Sequence, residues 1–268
     1  MCSFTESSYQ DISGPGGGPP GGYGSTPDDP ERGAGGFASP FARDELTSFA
    51  FTDISVRHGF IKKVFAIIGV QLLIVVALMA IFLSSKGAEN YIRSNVWLMW
   101  LSVIVFLISY FVLACVPSVR RKVPHNYICL LILTLAIGFM TAMISATYDT
   151  KIVVIAFSIC TICTVGIIVF AMQTKYDFTS WIGVVSMIAL VVILFGFFAI
   201  FFPILQVVYA GLMALIFMVY MAIDVQMLVG GKRVELDPEE YIFAAAQLFL
   251  DIVYLFWMLL ELVGFARR

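Results

Sequence analysis

Charge is what this chain has least of. Only 13% of its 268 residues are Asp, Glu, Lys or Arg, where a soluble domain carries about a quarter. The formal net charge of −2 supplies neither a basic face for nucleic acid nor a strongly anionic surface. Histidine occurs twice. His58 and His125 flank apolar runs and read as interface residues rather than metal ligands. Of the five cysteines, Cys115, Cys129, Cys160 and Cys163 lie in apolar segments and Cys2 near the start. Cys160 and Cys163 share a helical face, but in hydrocarbon they read as small packing residues, and no extracellular disulfide pattern is present. No cofactor is expected. Residues 1–50 contain no long apolar run, so no cleavable signal peptide is expected and the first helix must itself direct insertion.

What the chain has instead is apolar length. Sixty per cent of its residues are apolar, the mean hydropathy is +0.96, and the apolar residues come in runs of roughly 18 to 25, enough to cross a hydrocarbon core of about 30 Å. Seven helices are expected, over Phe60–Leu83, Val96–Val116, Asn126–Thr147, Lys151–Met172, Ser180–Phe202, Ile204–Val229 and Tyr241–Phe265. Pro203 cannot continue a regular helix, so the fifth and sixth read as two spans joined by a tight turn. The fold class is an all-α integral membrane protein, a seven-helix bundle over residues 55–268. Ahead of it, residues 1–50 read as a disordered Gly/Pro-rich cytosolic tail, because GPGGGPPGGYG and STPDDPERGAGG cannot bury enough apolar surface to offset the ordering of their backbone. Tyr23 and the Pro-rich turns make this tail a candidate dock for partner proteins.

Loop charge sets the orientation. With the N-terminus inside, the inner segments hold Arg57, Lys62, Lys63, Arg120, Arg121, Lys122, Lys175, Lys232 and Arg233. The outer ones hold Lys86, Arg93 and Lys151, plus Arg267 and Arg268 if the last helix crosses fully; a re-entrant seventh helix would return that pair to the cytosol. The excess favours a cytosolic N-terminus. Trp97, Trp100, Trp181 and Trp257 read mostly as interfacial aromatics.

Within the spans, each acidic residue needs a reason, because an ionised Asp at a helix centre costs about 2.5–3.5 kcal/mol on insertion scales. Asp224 lies late in the sixth helix, roughly 8 Å from its cytosolic end, and Asp251 lies in the first half of the seventh, roughly 15 Å from the same side. A modest offset lets their carboxyls meet. Gln247 and Tyr254 share a helical face with Asp251, and Tyr220 stands one turn before Asp224, giving an inward polar stripe. Ala244, Ala245 and Ala246 allow close helix approach. Two carboxylates so close in low dielectric would share a proton and titrate as a coupled pair. Arg120 and Arg121 end the second helix on the same side and could stabilise the pair. This is the pattern of a proton-sensitive latch at the mouth of a pore. Glu261, near the end of the seventh helix, is expected to snorkel to the interface.

The stretches VRHGFIKKVF, YFVLAC followed by VRRKVPHN, ATYDTK, QTKYDFTSW, and IDVQMLVGGK followed by PEEYIFAAAQLFLDI together resemble the Lifeguard branch of the transmembrane Bax-inhibitor-motif family, over roughly residues 55–265. The resemblance implies a seven-helix fold in endomembranes, the Golgi or endoplasmic reticulum above all. It also implies a calcium leak and protection against apoptosis. On this resemblance Asp224 and Asp251 are the pH-sensitive pair, with a transient calcium contact, and Arg120 or Arg121 is the arginine that holds it. The chain departs from the family in reading Ile223-Asp224-Val225-Gln226 where YDTQ is common, which removes hydrogen-bonding capacity beside Asp224. Expected partners are the lipid bilayer, calcium as permeant ion, and apoptosis-regulatory or receptor proteins at the tail. No enzyme is expected: the second aspartate follows Leu248-Phe249-Leu250 rather than the GxG of intramembrane aspartyl proteases, and no PAL follows. The alternative is a non-conducting scaffold that regulates apoptosis through partner proteins.

Overall fold

The computed structural model describes residues 40–267, all helix and connecting turn, with no strand among the described residues. Residues 56–268 form one compact unit. The proposed docking tail with Tyr23 lies outside the described residues, although the first helix already begins at Pro40, inside the stretch read as tail.

Nine α-helices are present among the described residues. They are α1 (Pro40–Ser84), α2 (Lys86–Ser94), α3 (Trp97–Cys115), α4 (Pro117–Arg121), α5 (His125–Ser145), α6 (Thr150–Gln173), α7 (Ile182–Ala199), α8 (Pro203–Val229) and α9 (Tyr241–Ala266). Seven of them, all but α2 and α4, are long and apolar enough to cross a membrane. The turn between the fifth and sixth spans is three residues, and Pro203 opens α8 at a position where its missing N–H is no loss. The two short helices were not legible as apolar runs. Helix α2 is amphipathic and held by one anchor, Ile92, which is fully buried against Met143 and Ala146.

The spans are not equivalent. In the third and sixth, 61% of the core window is buried inside the protein, and in the seventh 50%, against 17–28% for the other four. Helices α5, α8 and α9 together form the interior, and the other four spans surround them. Hydropathy alone cannot distinguish a helix facing lipid from one facing other helices, since both are apolar. Helix α9 packs on α8, α6 and α5, and α8 packs also on α7.

Small residues and buried hydroxyls set the distances. A Cβ at Gly138 of α5 would come within 2.7 Å of Leu78 of α1, and the same two helices are tied by Gln71 Nε2 donating to Thr134 Oγ1 at 2.9 Å. Trp257 does not sit at an interface; its indole N–H donates to Thr141 Oγ1 at 3.0 Å. Helix α9 is unbroken over 26 residues, about 39 Å. At its far end Gly264 lies against the ring of Tyr148, in the turn after the third span, too close for any Cβ. The seventh span therefore runs the whole thickness of the bundle and is not re-entrant.

Gly264→Val should lower the thermal midpoint of the purified protein, with overpacking of about 1–3 kcal/mol. Adding Tyr148→Ala should restore part of the loss, read by melting in detergent. Equal midpoints for Gly264→Val and the wild type would show that the contact sets no distance.

Candidate functional site

Asp224 and Asp251 face each other across the α8–α9 pair, close enough for their carboxyls to interact directly once one of them carries a proton. Ala222, Ala244, Ala245 and Ala246 are all buried, and their small side chains allow close approach of α8 and α9 to their neighbours. Each aspartate is half-buried while Ile223, Val225, Leu250 and Ile252 beside them are buried. An ionised carboxylate can only accept, so a bond between the two requires one of them to carry a proton. Asp251 Oδ2 is buried and has no hydrogen-bond partner, and Gln247 Oε1, one turn earlier on α9, is in the same condition. Two buried acceptors one turn apart without donors are costly unless a donor or a cation reaches them. Among the described residues no three His, Cys, Asp or Glu side chains cluster to hold a metal ion.

Tyr254 packs its ring at a tilt against Phe217 at 5.2 Å and edge-on to Trp257 at 5.3 Å, within electrostatic reach of Asp251. Tyr220 does not join this stripe. Its hydroxyl donates to Ser186 Oγ of α7 at 3.0 Å. A residue that sequence reasoning missed completes the set: Tyr110 of α3 lies within reach of both aspartate charges. It was legible only as a polar-tipped ring in an otherwise apolar span.

Arg120 is almost fully buried, and its Nη2 donates to Glu240 Oε1 at 2.7 Å. Its guanidinium also lies 5.1 Å from the ring centre of Phe243. Arg121 reaches the same Glu240 oxygen at 3.1 Å, with Glu239 and Asp237 further out. Both arginines thus engage α9 at its first turn, roughly 16 Å along the axis from Asp251. Glu240, at the N-terminus of α9 where a negative charge is favoured, is a second residue that sequence reasoning did not single out.

Four further clamps close this end of the bundle. Arg57 donates to the carbonyls of Met227 (2.8 Å), Val229 (3.1 Å) and Leu236 (3.1 Å), and lies 3.5 Å from Glu235. Two of those carbonyls belong to the last turn of α8, which no helical N–H can satisfy. Gly230 follows at φ 80°, with the Arg57 guanidinium packed where a Cβ would stand. Gln226, buried, accepts from the Phe178 N–H and donates to the Tyr176 carbonyl, both at 2.8 Å. Lys232 donates to the carbonyls of Thr174, Lys175 and Tyr176. Asp177 accepts from the hydroxyl and N–H of Thr179 and from the N–H of Arg233. These bonds fasten the turn between the fourth and fifth spans to the one between the sixth and seventh. His58 and His125 are exposed, away from the pair.

A family model described as inhibitor of apoptosis-promoting Bax1 matches residues 57–268. The chain is 40% identical to protein lifeguard 3 of Mus musculus over 227 residues, 82% of this chain and 74% of that protein. It is 39% identical to protein lifeguard 3 of Homo sapiens, over 79% of this chain and 70% of that protein. To protein lifeguard 4 of Mus musculus it is 28% identical, over 79% and 87%.

Arg57→Ala should destabilise the protein by on the order of 2–3 kcal/mol, as expected for losing hydrogen bonds from a charged donor, and should raise amide exchange over residues 227–236. Arg57→Lys should recover only part, since one ammonium cannot span three carbonyls as a guanidinium fork does. The Thr179 hydroxyl bonded to Asp177 holds that carboxyl below its usual range. Its contribution is therefore present above the ordinary carboxylate value and is lost as pH falls through the lowered one. Hydrogen exchange at Thr179 and Arg233 should stay protected until pH drops below the usual carboxylate range; deprotection already above it would contradict the assignment.

Proposed function

The chain belongs to the family of inhibitors of apoptosis-promoting Bax1, and from that premise we propose that it restrains cell death as a pH-sensitive calcium leak of internal membranes. The protein is a multi-pass membrane protein. The observation that carries the reading is the meeting of two acidic side chains, Asp224 of α8 and Asp251 of α9, between the inner helices.

While the shared proton is present, the bond holds the two inner helices together. Removing it turns attraction into repulsion, roughly 4 kcal/mol for two charges at 4 Å and an effective dielectric of about 20. Asp251 Oδ2 and Gln247 Oε1 supply oxygen acceptors of the kind that a hard divalent cation prefers, so calcium would meet the pair in passing as cargo. Arg120 and Arg121 set the seat of α9 through Glu240, and Tyr110 and Tyr254 line the approach. No residue is assigned a catalytic role. Orientation follows from the basic residues: Arg57, Arg120, Arg121, Lys232 and Arg233 gather at the end where the clamps lie. That end is read as cytosolic, with the N-terminus on the same side. The Golgi and the endoplasmic reticulum are the compartments in which such a leak would act.

The test is calcium flux from loaded vesicles containing the purified full-length protein, followed across pH. The wild type should leak with a pH-dependent rate, and Asp251→Asn, once its melting shows it folded, should flatten that dependence. An unchanged curve would remove the pair from gating. No leak above protein-free vesicles would replace the channel by a scaffold acting through partner proteins.

A further inference from the structure

The lipid-facing side of the bundle is indented by an apolar cavity of about 260 Å³ between α1, α5, α6 and α9. Its floor is the turn of α9 that directly follows Asp251, formed by Ile252 and Val253, and Val75 and Cys160 close its inner side. All four of these residues are buried. The mouth is different: Val76, Phe157 and Val165 are 36%, 44% and 56% exposed, and they line the same space.

The few polar atoms on the lining are already engaged within the protein. Thr141 Oγ1 donates to the Ile137 carbonyl at 2.8 Å and accepts from Trp257. Thr161 Oγ1 donates to the Phe157 carbonyl at 2.8 Å, and Cys160 Sγ points at the Ile252 carbonyl at 3.6 Å. A water molecule needs two to four polar partners to occupy a cavity, and beyond these groups the lining offers one hydroxyl, Thr164 Oγ1, which meets Cys160 Sγ at 4.0 Å. By comparison, an apolar cavity of about 150 Å³ stays dry and takes up benzene. Depth decides what fills this one. Cys160 lies near the middle of the fourth span and Ile252 near the middle of the seventh, so the mouth opens into the hydrocarbon core rather than into the headgroup layer or water.

We propose that this cavity is a lateral binding site for an acyl chain of a bilayer phospholipid. The site has no charged side chain that would retain a headgroup or a free carboxylate, so the occupant enters by the middle of its chain while its polar end stays at the interface. The bound chain rests on the α9 turn next to Asp251, and the site exists whether or not the aspartate pair passes calcium.

Trp257 is the natural reporter, because its indole is bonded to Thr141 on the cavity wall. The protein would carry Trp97, Trp100 and Trp181 as Phe and be reconstituted in phosphatidylcholine whose sn-2 chain is brominated at mid-chain, diluted stepwise with unbrominated lipid. Trp257 quenching should saturate at a low fraction of brominated lipid, and Thr164→Phe, which fills the cavity from α6, should at least halve it. Thr161→Phe plugs the mouth from its exposed side without entering the core, and should do the same if Thr164→Phe does not fold. A matched protein keeping only Trp100, which is 67% exposed, should show quenching proportional to the brominated fraction and indifferent to either plug. Equal Trp257 quenching with and without the plug, at equal melting midpoints, would overturn the site. So would a plug that lowered Trp100 and Trp257 quenching alike.

Discussion

In hydrocarbon no solvent is available to complete a polar group, and this single constraint organises the protein. Every backbone donor and acceptor within the spans must be satisfied by the chain itself, so the bundle is helical throughout and its irregular segments are short. The same constraint sorts the side chains. Lysines and arginines are driven to the helix ends, and the two acids kept in the interior, Asp224 and Asp251, are placed against each other. A contact that requires one proton between two acids makes one joint of α8 and α9 a chemical variable, whereas the apolar packing around it is insensitive to pH.

The end of the bundle nearest the pair is built in the opposite way. There the orphan carbonyls of α8, the first turn of α9 and the turn before α7 are each held by a long cationic or amide side chain from elsewhere in the chain: Arg57, Arg120, Gln226 and Lys232. These contacts are many, directional and mutually bracing. The hairpin of α8 and α9 thus combines a firmly fastened base with an inner joint that depends on one proton. That is a suitable division for a device in which helices part at depth without unravelling at the surface.

Much of this could be read from the residues. The seven spans are apolar runs of membrane length, and their bounds fall close to those observed because Pro203, the basic loops and the Gly230-Gly231 pair mark the ends. The aspartates stand out because acids are so scarce in the spans. Three things were not legible. The inner position of α5 and α8 was hidden because lipid-facing and helix-facing surfaces have the same hydropathy. The roles of Arg57, Gln226 and Glu240 were hidden because their partners are remote in sequence and a capping arginine looks like any orientation charge. The bond of Tyr220 was hidden because its partner, Ser186, is remote in sequence and stands on another helix.

The cap on α8 also has an order in time. Arg57 is synthesised at the start of the first span, whereas its acceptors at Met227, Val229 and Leu236 are among the last parts of the bundle to be made. The guanidinium therefore has no place to dock until the sixth helix has entered the membrane with its end on the same side as the start of the first. A chain inserted with one span inverted or missing would leave the charge and the carbonyls on opposite faces, unable to meet. One arginine thus makes completion of the sixth helix conditional on the correct topology of all the helices before it.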